Sequence, residues 1–180
     1  TSIENQIFQN MIAQELLNPK SIVVVGASGD THKPGGSVLK NLINSNFKGE
    51  IYTVNPKETE VQGIKCFQKV DDLPQVDCAI IAIAAKYCPA TVNTLAFEKG
   101  TKGFIIVSAG FGEENEQGAE FERQIVETVN KVGGSLIGPN CTGFLNRNYC
   151  GAFDAPIPTL DPHGVDFITG SGATAVFIKE

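Results

Sequence analysis

The first apolar positions along the chain stand four residues apart. Ile7 pairs with Met11 and Phe8 with Ile12, and Leu16 and Leu17 follow before Asn18-Pro19. That spacing gathers apolar side chains on one side of a helix and Asn-Pro stops it, so a leading amphipathic helix is predicted. The pattern then changes. Ile22 to Val25 is an unbroken β-branched run ending at Gly26, and comparable runs recur at Ile51 to Val54, Ala79 to Ala84, Phe104 to Val107 and Ser135 to Ile137. Runs without polar alternation suit strands that are buried on both faces.

Helical spacing fills the intervals between these runs. Val38, Leu39, Leu42 and Ile43 form one set, Val92, Leu95 and Ala96 a second, and Phe121, Ile125, Val126 and Val129 a third. Strands alternating with helices are βαβ units, whose right-handed crossovers return each strand parallel to the last. The predicted fold class is therefore α/β, a doubly wound, mostly parallel sheet with helices on both faces. After Asn140 the pattern loosens into a loop-rich stretch with Pro156, Pro158 and Pro162, and then Val165 to Ile168 runs into Gly170-Ser171-Gly172-Ala173. The chain is accordingly divided into a domain at 1–160 and a piece at 161–180. That last piece either closes the domain as an extra strand or begins a second unit, and both alternatives stand.

Composition narrows the function classes. Hydrophobic residues make up 42% of the 180 and charged residues 19%, which is a core-forming balance. The net charge of −6 disfavours a nucleic-acid or anionic-membrane surface, so recognition of phosphate must rest on local cations. No apolar run approaches the roughly 20 residues of a membrane span and no secretory pattern opens the chain, so a cytoplasmic location is expected. The five cysteines, Cys66, Cys78, Cys88, Cys141 and Cys150, are odd in number, scattered and without CxxC spacing, so no metal site is expected.

In a doubly wound sheet, ligands bind beyond the carboxyl ends of the strands, which directs attention to the residues that follow each run. After the first come Gly26-Ala27-Ser28-Gly29 and, before the helix, Lys33, Pro34, Gly35 and Gly36. Small residues let backbone N–H groups approach a phosphate and a helix N-terminus adds partial positive charge, although the same glycines also suffice for a tight turn. The segment is neither GxGxxG nor a P-loop. The second run ends in Asn55-Pro56-Lys57, where an NAD site would carry a carboxylate for the ribose; an amide and a cation suit instead a nucleotide with an additional phosphate. Ile83-Ala84-Ala85 and Val107-Ser108-Ala109-Gly110, the latter followed by Phe111, are small-residue strand ends that could line a flat slot. Gly138-Pro139-Asn140-Cys141-Thr142-Gly143 reads as a rigid loop, and neither His32 nor His163 forms an identifiable nucleophile pair with Cys141. No catalytic residue is expected.

Taken in order, Asn18 to Ser28, Val54-Asn55-Pro56-Lys57, Ser108-Ala109-Gly110-Phe111 and Gly138-Pro139-Asn140-Cys141 resemble the Rossmann-like CoA-binding domain of NDP-forming acyl-CoA synthetases. Those enzymes are relatives of the succinyl-CoA synthetase α subunit, and the likeness covers nearly the whole chain. It implies that coenzyme A contacts Gly26, Ala27, Ser28, Gly29, Asn55, Pro56, Lys57, Ile83, Ala84, Ala85, Val107, Ser108, Ala109 and Gly110. Lys33 is added on charge alone. The resemblance also implies an ATP-dependent acid–CoA ligation, passing through acyl phosphate and a phosphohistidine. In that family the histidine and the nucleotide belong to a flavodoxin-like and an ATP-grasp domain, the partners this chain would need, and Gly170 to Ala173 looks like the start of the former. The chain by itself is then expected to bind coenzyme A without catalysing the ligation. The alternatives are a stand-alone CoA-binding regulatory protein and an NAD(P)-binding dehydrogenase module.

Overall fold

The five apolar runs become five adjacent strands of one sheet. The computed structural model describes residues 12–45, 47–153, 160, 163, 169 and 170. Within them the helices are α1 (Gln14–Leu17), α2 (Pro34–Asn44), α3 (Cys88–Glu98) and α4 (Glu116–Lys131). The strands are β1 (Ser21–Val25), β2 (Glu50–Val54), β3 (Glu60–Val61), β4 (Ile64–Phe67), β5 (Cys78–Ile81), β6 (Gly103–Ile106) and β7 (Ser135–Ile137). They lie in the order β3-β4-β2-β1-β5-β6-β7, and every neighbouring pair is parallel except β3 and β4. Leaving β3 aside, the order of the parallel strands is that of the dinucleotide-binding doubly wound sheet, which is the fold class the sequence predicts, though it gives no strand order.

Register explains the double burial. Ala79 faces Val23 on one side and Phe104 on the other, and Ile81 likewise faces Val25 and Ile106. These rows pack beneath Val92 and Leu95 of α3 and Ile125 and Val129 of α4. The alternate residues Ile22, Val24, Cys78, Ile80 and Ile105 point the other way, beneath Val38, Leu39 and Leu42 of α2. Ile43 and Val126 were grouped with these helix faces by spacing, but each stands at the margin of its face and is exposed.

Three features depart from the periodicity. The run Ala79 to Ala84 leaves the ladder after Ile81 because its partner β1 ends at Val25; Ala82 makes one more bond, donating its N–H to the Val25 carbonyl at 2.8 Å. A hairpin, β3 and β4, also joins β2 to the sheet edge where a crossover helix would be usual. Its two-residue turn, Gln62-Gly63, has φ of 52° and 81°, the left-handed pair that matches the twist of a tight hairpin. Its strands mix Glu60 and Lys65 with Val61 and Ile64, so no apolar run announced them.

The third departure is the stretch after β7. Residues 141–153 cover the α2 face of the sheet without helical structure, tied by the Leu145–Cys150 bridge. Tyr149 is 1% exposed, lies against Phe47 and Phe144, and donates its hydroxyl to the Leu16 carbonyl at 2.7 Å. Asn41 of α2 donates to the Ala152 carbonyl at 2.8 Å. Of the predicted leading helix, residues 12–17 are described and only Gln14–Leu17 is helical, with Ile12 exposed before it; the predicted strand at 165–168 and the turn at 171–173 lie outside the described residues.

Candidate functional site

Because β2, β1, β5 and β6 are parallel neighbours, the loops that follow them emerge side by side at one edge of the sheet. Strand order reverses between β1 and β5, and that point is the ligand crevice of a doubly wound sheet. All four predicted segments, 26–33, 55–57, 83–85 and 107–110, therefore stand along one edge. Two clefts, of about 530 and 510 Å³, lie elsewhere, the first at the opposite end of the sheet beside Lys20 and Arg147 and the second between α3 and α4.

At the crevice the backbone is pinched. Gly26 has φ of 85°, and a Cβ there would lie 2.3 Å from the Ala82 carbonyl oxygen and 2.9 Å from Ile83 Cγ2. A Cβ on Gly35, in the first turn of α2, would lie 2.1 Å from the Gly26 carbonyl oxygen. Only glycine allows β1, β5 and the start of α2 to meet this closely. Pro34 opens α2 with Lys33 as its exposed N-cap residue, so the helix N-terminus and a cation share one end of the site. Ala27 is fully buried, Ser28 half-buried and Gly29 exposed, with open space around a Cβ built on Gly29.

Asn55 joins the first two loops. Its amide donates to the Ala27 carbonyl at 2.8 Å and its oxygen accepts the Lys57 N–H at 2.9 Å, which leaves Pro56 and the Lys57 side chain exposed. A second tether comes from Gln62 at the hairpin tip, whose amide nitrogen donates to the carbonyls of Ser28 and Gly36, both at 2.9 Å. Gln62 was not among the predicted residues. The sequence signal was present in Gln-Gly between two short β-prone segments, and reading it required the hairpin first.

Beyond β5 the surface is small and uncharged as far as Ala85. Ile83 is half-buried against the core, Ala84 exposed and Ala85 buried, and a short 3₁₀ turn, Ala85–Tyr87, leads into α3. Beyond β6, Val107 is buried, Ser108 half-buried and Ala109 exposed. Gly110 has φ of 99° and donates its N–H to Glu113 Oε1 at 2.7 Å, and Phe111 donates to Glu113 Oε2 at 3.2 Å. Desolvation works against the charge on Glu113, but these N–H bonds outweigh it and hold the carboxyl below its ordinary value.

The loop after β7 completes the edge. Asn140, at φ of 53°, donates its N–H to the Ser108 carbonyl at 2.9 Å, and the Cys141 thiol donates to the Ile106 carbonyl at 3.3 Å. Burial pushes the Cys141 thiol up, away from the thiolate a nucleophile needs. His32 and His163 are both exposed, and among the described residues no His, Cys, Asp or Glu cluster could hold a metal ion. Among them, too, no helix is long and apolar enough to cross a membrane.

A family model described as a CoA binding domain matches residues 20–147. An ADP-forming acetate–CoA ligase II of Archaeoglobus fulgidus is 46% identical over 134 residues, 74% of this chain and 20% of the relative. The α subunit of an ADP-forming acetate–CoA ligase II of Pyrococcus furiosus is 42% identical over 158 residues, 87% of this chain and 34% of the relative. A solved dinucleotide-forming acetyl-coenzyme A synthetase 1 of Candidatus Korarchaeum cryptofilum, in complex with phosphate and ADP, superposes with a TM-score of 0.82 at 32% identity. That superposition covers 94% of this chain and 36% of the other. The chain thus spans between a fifth and about a third of the length of these relatives.

Proposed function

The chain belongs to the family of CoA binding domains, and from that premise we propose that it holds coenzyme A for an ADP-forming acid–CoA ligase of which it is one part. The observation that carries the proposal is the row of four loops along one sheet edge, with Lys33 and Lys57 at the β1–β2 end and small uncharged residues at 83–85 and 107–110, Lys86 following only where α3 is about to begin.

Coenzyme A has a phosphorylated nucleotide end and a neutral pantetheine arm. The N-terminus of α2, Lys33 and Lys57 supply the positive potential that the phosphates require. Asn55 spends its side chain inside the protein, bracing the Ala27 carbonyl and the Lys57 N–H, so its role is to set the shape of this end. No carboxylate stands at this position to take a ribose hydroxyl, which weighs against an NAD module. The pantetheine arm then crosses Ala84 and Ala109, where small side chains leave room for an extended chain. In this reading the chain binds and orients the thiol substrate. Activation of the acid and the phosphoryl carrier belong to the other domains of the ligase, because neither His32 nor His163 matches the phosphohistidine position that the family resemblance implies.

Comparison of coenzyme A with dephospho-CoA tests the phosphate assignment. A charge-assisted hydrogen bond contributes about 1.5 to 3 kcal/mol before solvent screening, and Lys57 is exposed, so Lys57→Ala should weaken coenzyme A about tenfold. It should weaken dephospho-CoA much less. Equal losses for the two ligands would remove Lys57 from the site of the additional phosphate.

A further inference from the structure

Three successive backbone N–H groups in the loop after β6, at residues 110–112, are turned onto carboxylates of the same chain. Gly110 and Phe111 donate to the two oxygens of Glu113 at 2.7 and 3.2 Å, and Gly112 donates to Glu122 Oε2 at 3.4 Å. A left-handed residue followed by another N–H donor makes a concavity in which donors converge, the arrangement that elsewhere receives phosphate. Here the two oxygens of Glu113 sit where phosphate oxygens would. The loop adjoins the crevice, since a Cβ on Gly110 would lie 3.4 Å from the Ala85 side chain and 3.2 Å from Glu114 Oε2.

We propose that Glu113 is a built-in anion that keeps the ligand's phosphates off the β6 loop, a specificity-determining residue that fixes which end of the ligand this loop receives. The proposal rests on the coenzyme A reading above. Without Glu113 both ends of the site would offer donors to an anion, the α2 N-terminus with Lys33 and Lys57 at one end and the Gly110–Phe111 pair at the other, and a ligand could bind in either direction. With it, the second pair of donors is occupied by a carboxylate, and Glu114 and Glu122 add acidic groups beside the same loop, with Lys86 the cation next to Ala85. Discrimination therefore comes from a repulsive element as much as an attractive one. The carboxyl is held below its ordinary value, so it is ionised at neutral pH.

Amide NMR spectra of the 180-residue chain and its Glu113→Ala and Glu113→Gln variants, titrated with inorganic phosphate, test this. The unsubstituted chain should show no phosphate response at the Gly110 and Phe111 amides. Both variants should show saturable shifts there, and coenzyme A should then shift these amides as well, its phosphates reaching a loop that the unsubstituted chain closes to them. Should Glu113→Ala disturb the fold, Glu113→Gln decides, since it keeps the shape of the side chain, removes the charge and leaves one acceptor oxygen for the two N–H groups. Phosphate shifts at these amides in the unsubstituted chain, or none in a folded Glu113→Gln, would overturn the proposal. Coenzyme A shifts at Gly26 and Lys57 in the unsubstituted chain report on the underlying reading separately.

Discussion

Gly26→Ala should destabilise the chain by about 3 kcal/mol or more and abolish coenzyme A binding. A non-glycine residue at a φ of 85° costs about 1–3 kcal/mol by itself. The added Cβ would also meet the Ala82 carbonyl oxygen at 2.3 Å, and backbone cannot rotate away as a side chain can. Relief requires β1 and β5 to separate at the switch point, a displacement that costs a further ~1–3 kcal/mol by overpacking and spoils the crevice. Gly29→Ala serves as the control, because its Cβ would enter open space and its φ lies outside the left-handed region. Denaturant melts should separate the two variants clearly. If Gly26→Ala proved as stable as Gly29→Ala, the pinch between β1 and β5 would not exist as described.

A comparable loss is expected far from the site, at Tyr149. This side chain anchors residues 141–153 over the α2 face, where it is 1% exposed and packs on two aromatic rings. Tyr149→Ala should cost about 3–5 kcal/mol, the range for removing a large buried side chain. Tyr149→Phe keeps the packing but leaves the Leu16 carbonyl without its hydroxyl partner, so about 1–3 kcal/mol is expected. Thermal or denaturant unfolding of both variants checks the ranking. A Tyr149→Ala chain as stable as Tyr149→Phe would mean that the stretch after β7 is not part of the core.

What the sequence could and could not disclose follows from the same physics. The strands β1, β5 and β6 are legible as apolar runs because double burial leaves no polar alternation, β2 and β7 as shorter apolar runs of the same kind, and α2, α3 and α4 as the spacing between them. Gly26 is legible as a glycine after a strand, but the reason for it depends on Ala82, a contact across 56 positions that no local pattern contains. The β3–β4 hairpin escaped because an edge pair mixes charged and apolar residues, and with it went Gln62 as the brace of the glycine-rich loop. Residues 141–153 read as loop because they are loop, and only the packing of Tyr149 shows that they stand in for a covering helix. Gly110 is legible as a small residue at a strand end, but Glu113, three positions on, looks like any solvated glutamate until its two N–H bonds are seen.

The central claim is that this sheet edge is shaped for coenzyme A, with its phosphates at the β1–β2 end. Calorimetric titration of the 180-residue chain with coenzyme A and with NAD, under one set of conditions, tests it most directly. The loops predict saturable binding of coenzyme A that is tighter than that of NAD, because Lys57 has a phosphate to meet and no carboxylate awaits the NAD ribose. Tighter binding of NAD, or no difference between the two, would contradict it.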